Sequence, residues 1–200
     1  MTGAIPRRTR ARRRGWLALA CAMLACGAAR AGAGNLEFDP AHSRFGFELR
    51  TRWGQKLEGR FPHYDGHVVE LPDGRHQVRL RFFTADVEIA GHPRYTEWTR
   101  GPRFFDAEKY PTVSFVSDPY DPALLAQGGK LAGKLAIRGI QRPKSLDVEA
   151  AACARPALDC DVVATGAVSR ADYDMDNWQL AVNDRVVFVL RARLRENTAP

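Results

Sequence analysis

Nucleophiles are scarce in this chain. Only five serines occur among its 200 residues (43, 114, 117, 145 and 169), and none stands in a Gly-x-Ser-x-Gly elbow. A phosphate-binding glycine loop and a His-Glu-x-x-His pair are missing too, so the signatures of nucleotide binding and of zinc-dependent hydrolysis are lacking. Ser43 follows His42 directly, but neighbours on a strand point to opposite faces, which argues against a Ser-His dyad. The few histidines give no metal set: His63 and His67 flank Tyr-Asp-Gly, while 42, 76 and 92 are scattered. Asp172 to Asn177 opens like a calcium loop, yet its sixth place is Asn177 instead of Gly and its twelfth is Asn183 instead of Glu, so it reads as a polar loop. No enzyme activity, metal or catalytic cofactor is expected.

Cysteine is almost as rare, at four, and two of the four lie in a segment that reads as a leader. Long apolar runs are limited to one, Trp16 to Ala29, which is too short for a comfortable membrane span. Acid is absent from the first 31 residues, whose seven arginines account for the whole formal charge of +7. The remainder is balanced, so the high overall pI gives no reason to expect nucleic acid as a partner. A basic start, a short apolar stretch and small residues after it match a secretory signal peptide, with Ala31-Gly-Ala33 as the expected cleavage motif. Residues 1–33 are therefore assigned to the leader and 34–200 to one domain, exported to the periplasm. Arg13-Arg14 hints at a twin-arginine signal, and Cys26 at a lipoprotein site whose Leu24 sits one place too close. In the oxidising compartment that follows, Cys153 and Cys160 read as a disulfide across the loop Ala154-Arg-Pro-Ala-Leu-Asp159.

What is abundant is alternation. Phe45, Phe47 and Leu49 alternate with polar neighbours, as do Val78, Leu80 and Phe82. The parity then shifts to Phe83, Ala85, Val87 and Ile89, so a bulge or bend is expected near Phe82-Phe83. Further strands follow at Val113–Phe115, Leu131–Ile137, Leu146–Ala150, Val162–Val168 and Val186–Leu194, the last with an apolar start that suggests cover on both faces. Turn signals separate them, Arg138-Gly139 among others. Only Pro93 to Arg100 looks helical, with Pro in the first turn. The sum is an all-β chain: an antiparallel β-barrel of about eight strands with one short helix, since closure removes exposed edges.

Four ordered motifs go further. They are Asp39-Pro-Ala-His-Ser43; Phe104-Phe-Asp106 with Tyr110-Pro111 and Phe115-Val-Ser117; Gly133-x-Leu-x-Ile-Arg-Gly139 with Pro143; and Arg170-x-Asp172-Tyr173. With them the chain resembles the YceI family of secreted lipid-binding barrels over approximately Leu36 to Leu194. The resemblance implies a lipocalin-like barrel that carries a polyisoprenoid, isoprenoid quinone or fatty amide in its lumen, without a catalytic cofactor. On apolar parity and bulk, Phe45, Phe47, Val87, Trp98, Phe104, Phe115, Leu135 and Phe188 are the expected lipid contacts. His42, Arg94 and Arg138 are candidates for the head group. A barrel with a filled core, or an enzyme acting on a lipid, remain the alternatives, and oligomeric state stays open. Two positions depart from the family pattern: Arg94-Tyr-Thr-Glu-Trp98 replaces the usual Arg-Asp-x-His-Leu, and Asp174 stands where Gly is usual.

Overall fold

The computed structural model describes Gly3 and residues 35–177 and 181–196. Gly3 apart, the expected leader lies outside them, with its cleavage site and Cys26. Strands alternate with tight turns: β1 (Asn35–Glu37), β2 (Arg44–Thr51), β3 (Lys56–Arg60), β4 (Tyr64–Glu70), β5 (His76–Phe83) and β6 (Glu88–Ile89) come first. Helix α1 (Pro93–Arg100), β7 (Thr112–Ser117), helix α2 (Ala123–Gln127), β8 (Gly129–Ile137), β9 (Ile140–Val148), β10 (Val162–Ser169) and β11 (Val182–Ala192) follow. All strands join one curled antiparallel sheet in the order β1-β4-β5-β7-β8-β9-β10-β11-β2-β3-β6.

The two ends of eight of these strands meet. Beyond β1, Phe38 bridges Leu194 beyond β11. Asp39 N donates to the Arg193 carbonyl and Arg195 N to the Glu37 carbonyl, which ties β1 back to β11. The ring β1-β4-β5-β7-β8-β9-β10-β11 is the eight-stranded barrel that alternation anticipates. Strands β2, β3 and β6 continue the sheet past β11, and β2 turns Phe45, Phe47 and Leu49 into the same interior.

Alternation fixes which side chains go inside. In β2 the buried positions are Phe45, Phe47, Leu49 and Thr51, and in β10 they are Val162, Ala164, Gly166 and Val168. In β11 the expected cover on both faces is partial: Val186, Phe188 and Leu190 are buried, while Val187 and Val189 are half-buried. The parity change after Phe82 is made by a 3-10 turn at Thr84–Asp86, so the strand ends instead of bulging. Thr84 then anchors the Tyr-Pro motif, its hydroxyl donating to the Tyr110 carbonyl and its N–H to that of Pro111.

Helix α1 has the expected limits, with Pro93 in its first turn. Helix α2 is not among the expected elements. Its five residues are too few to show a helical period, and its start is set by Asp121, whose carboxylate accepts the Ala123 N–H. The β8–β9 hairpin turns on Arg138 and Gly139, both with positive φ (50° and 75°), between the paired Ile137 and Ile140. Two left-handed residues match the twist of the flanking strands.

Candidate functional site

Inside the ring lies an apolar cavity of about 590 Å3. Its walls are the inward parity of the strands: Leu36 and Phe38 from the β1 segment, Phe45 from β2, and Val68 and Leu80 from β4 and β5. Phe115 and Leu131 follow from β7 and β8, Leu146 and Val148 from β9, and Ala164 and Leu190 from β10 and β11. A cavity of this size and lining has room for one apolar ligand and offers water no partners.

Polar groups gather only at its rim. His76 and Tyr120 face each other there, their backbones exchanging hydrogen bonds of 2.8 and 2.9 Å and their rings 6.1 Å apart edge to face. Loss of hydration pushes the Tyr120 phenol up to about 12, so at neutral pH it keeps its proton and is available as a donor. Across the rim stands the loop closed by the Cys153–Cys160 disulfide. Pro156, Ala157 and Leu158 of that loop line the cavity, and the Ala157 carbonyl accepts the Leu194 N–H at 2.6 Å. Arg155, itself in the cavity lining, holds the loop in place through Asp159 and Glu196, at 2.6 and 2.8 Å.

A second apolar cavity, about 300 Å3, lies toward the other ends of the same strands. Phe45 and Leu190 border the large cavity, whereas Leu49, Thr51 and Val182 border the small one. The run from Val182 to Leu190 makes the separation roughly 25 Å along β11. Between the cavities the barrel is filled by phenylalanines. Phe82 stacks on Phe61 at 5.1 Å, Phe61 meets Phe47 at 5.6 Å, and Phe47 meets Phe105 and Phe188 at 5.9 and 6.4 Å. Gly59 makes this plug possible, because a Cβ there would occupy the space of the Phe47 ring. A third depression, of about 600 Å3 over β2 and β3, mixes charged and apolar side chains, with Arg44, Glu48, Glu58 and Arg60 beside Phe45, Phe47 and Phe61.

The expected lipid contacts are therefore divided among three places. Phe45 and Phe115 line the large cavity, and Trp98 and Phe104 line the small one. Phe47, Val87, Leu135 and Phe188 are buried and line neither. Trp98 is 43 % exposed, since α1 packs outside the sheet end.

None of the three head-group candidates borders the large cavity. His42 is exposed and bonded through Nδ1 to Asp39 at 2.5 Å, within the turn that leads into β2. Arg94 is exposed on α1. Arg138 reaches the carbonyls of Pro102 and Phe104 at 2.9 and 2.6 Å and lies over the Tyr110 ring, so it braces the Phe-Phe-Asp loop. Arg170 is wholly buried and donates to the carbonyls of Met175, Asn177, Val182 and Asn183, with its guanidinium 5.9 Å from the Phe104 ring. Desolvation lowers its pKa, and Asp184 and Asp176 act against that. The motif residues thus hold the seam and the loops. The groups at the cavity rim, His76, Tyr120 and the 155–158 loop, belong to no motif. A histidine at the head of an alternating strand and a Cys-bounded loop were the only traces of them in the sequence.

An antiparallel sheet curled round an apolar cavity with a few polar groups in its lining is a lipocalin-like barrel. The YceI-like domain pattern matches residues 36–194. The chain belongs to the YceI family. A UPF0312 protein of Staphylococcus aureus is 23% identical over 148 residues, 71% of this chain and 82% of that protein. Among solved structures, Burkholderia cenocepacia BcnA superposes with a TM-score of 0.64 at 20% identity, over 78% of this chain and 98% of BcnA. A polyisoprenoid binding domain from Saccharophagus degradans, implicated in plant cell wall breakdown, gives 0.57 at 16%, over 80% and 98%.

Proposed function

We propose that this protein is an exported carrier that holds one long apolar chain, a polyisoprenoid, isoprenoid quinone or fatty amide, in the large cavity, and that it catalyses nothing. The observation that carries this reading is the cavity of about 590 Å3 walled by leucine, valine and phenylalanine on the inward parity of the ring. Each methylene moved there from water contributes about 0.8 kcal/mol, so a dozen bring roughly 10 kcal/mol before the cost of association. The polar rim then selects the head group. Protonated Tyr120 beside His76 suits a neutral acceptor such as a carbonyl or hydroxyl, because the nearby arginines Arg155 and Arg195 are already engaged by carboxylates. Export is supported by the disulfide, which belongs to an oxidising compartment. The likeness to a solved polyisoprenoid binding domain supports the ligand class.

Delipidated protein titrated calorimetrically with geranylgeraniol and with a short-tailed quinone tests the reading. Binding at a ratio of one is expected. Ala164→Phe, which places a ring in the cavity without introducing a polar group, is expected to cut affinity at least about tenfold while the circular dichroism spectrum is kept. Unchanged affinity in a folded Ala164→Phe protein would remove the cavity from the account.

A further inference from the structure

The motif Asp39-Pro-Ala-His-Ser43 takes no part in the large cavity. It lies at a break in the sheet. Glu37 of β1 pairs with His67 of β4, and Gly46 of β2 pairs with Arg60 of β3. Between these rungs the regular ladder stops, around Pro40 and Pro62, neither of which has an N–H to give it. The depression of about 600 Å3 opens there, with Pro40, Ser43, Arg44, Pro62, Tyr64 and Arg191 in its lining.

Two features of this depression call for an acceptor. The first is a buried orphan: the Tyr64 hydroxyl is closed off from solvent with no hydrogen-bond partner. Burial raises its pKa, so the phenol keeps its proton, and Ser43 and Arg44 are among the neighbours that act against that rise. The Ser43 hydroxyl is already spent on Arg193, donating to its carbonyl at 3.0 Å and accepting its N–H at 3.1 Å. The second feature is an opposed pair of cations, for Arg44 and Arg191 stand directly across the β2–β11 ladder, a repulsive placement. Arg191 is exposed, and its side chain makes no hydrogen bond or ion pair among the described residues. Arg44 gives one nitrogen to the carbonyls of Pro40 and Ser43, at 3.1 and 2.7 Å, and keeps its remaining donors. The neighbouring acids are taken. Lys56 holds Glu48 and Glu58 at 2.7 and 3.0 Å, Arg60 holds Glu88 at 2.5 Å, and Asp39 is bonded to His42 and the Ala41 N–H.

We propose that this break in the sheet is a second binding site, for a phosphoryl group, held by Tyr64, Arg44 and Arg191. A hydroxyl donor and two guanidinium forks without an acceptor of their own suit a group that only accepts, and phosphate offers an oxygen to each. The site lies outside the large cavity and goes beyond the carrier reading. A soluble phosphate ester and a lipid phosphate would meet the same three donors.

The test titrates delipidated protein with inorganic phosphate at constant ionic strength, followed by calorimetry. One saturable site per chain is expected. Arg44→Gln and Arg191→Gln are each expected to weaken it roughly tenfold, and Tyr64→Phe at least about threefold. Arg79→Gln on β5 removes an equal charge elsewhere and is expected to change nothing. Tyr64→Phe carries a second readout: it removes an unpaired buried donor, so the melting temperature of the free protein should hold or rise while phosphate affinity falls. In protein filled with geranylgeraniol, farnesyl phosphate bound no tighter than inorganic phosphate marks a soluble ester as the ligand, and tighter binding marks a lipid; either result keeps the site. Absence of saturable phosphate binding by the parent overturns the proposal, and if geranylgeraniol still binds, the carrier reading survives it. Equal weakening by Arg79→Gln also overturns it, as does a Tyr64→Phe protein that melts lower and binds phosphate as tightly as the parent.

Discussion

At Tyr120 the burial that builds the cavity rim also leaves a titration signature. The phenol is raised from 10.0 to about 12 by desolvation, so the folded state keeps a proton that the unfolded state gives up. Stability is fully present below pH 10 and is lost as pH rises through about 12, by roughly 2 kcal/mol. Melting temperature followed across that window should fall steeply, and Tyr120→Phe should flatten the fall. An equally steep fall in the variant would locate the alkaline loss elsewhere. At the same scale, motif residues were legible and their roles were not. Arg138 read as a candidate head-group contact because a cation near a segment end can meet an anionic group. Its left-handed backbone instead aims the guanidinium at the carbonyls of Pro102 and Phe104, a target set by a loop some 35 residues away in the chain. Asp174 departs from the family's glycine at a position whose φ is 54°, which explains the usual residue and why Asp, tolerant of that region, can replace it.

Among the elements, the disulfide-closed loop bears most directly on binding. Cys153 and Cys160 close a short loop, so the bond should stabilise by only about 2–3 kcal/mol. Its larger effect is expected on the cavity, because Pro156, Ala157 and Leu158 form part of the wall. Reduction, or the paired change Cys153→Ala with Cys160→Ala, is expected to speed ligand release several-fold in stopped-flow fluorescence while the barrel stays folded. Release at the parental rate would mean that the loop does not gate the rim. The cysteine pair was legible from its spacing in an exported chain, whereas its position over a cavity was not, since nothing in the loop's composition names what it packs on. Helix α1 was legible to the residue because Pro93 marks its start. Helix α2 was hidden, for five residues carry no periodicity and only Asp121 signals its cap.

For the whole molecule, alternation was enough to foresee an antiparallel barrel, because one buried face per strand leaves few ways to close the sheet. It was not enough to foresee which buried positions would enclose space. Phe47 and Phe188 share their parity with Phe45 and Phe115, and only the curl of the sheet decides that the first two pack against one another while the last two face a hollow. Leucine and valine on β8 to β10, plain core residues in the sequence, line much of that hollow. The central claim is that the hollow holds a lipid in the cell. Native mass spectrometry of protein taken from its own cell envelope without detergent tests it most directly. The account predicts one adduct per chain, of isoprenoid or long-chain fatty mass, which organic solvent extracts and which is absent from a folded Ala164→Phe protein. A bare parental chain that also takes up no isoprenoid, quinone or fatty amide after delipidation would contradict it.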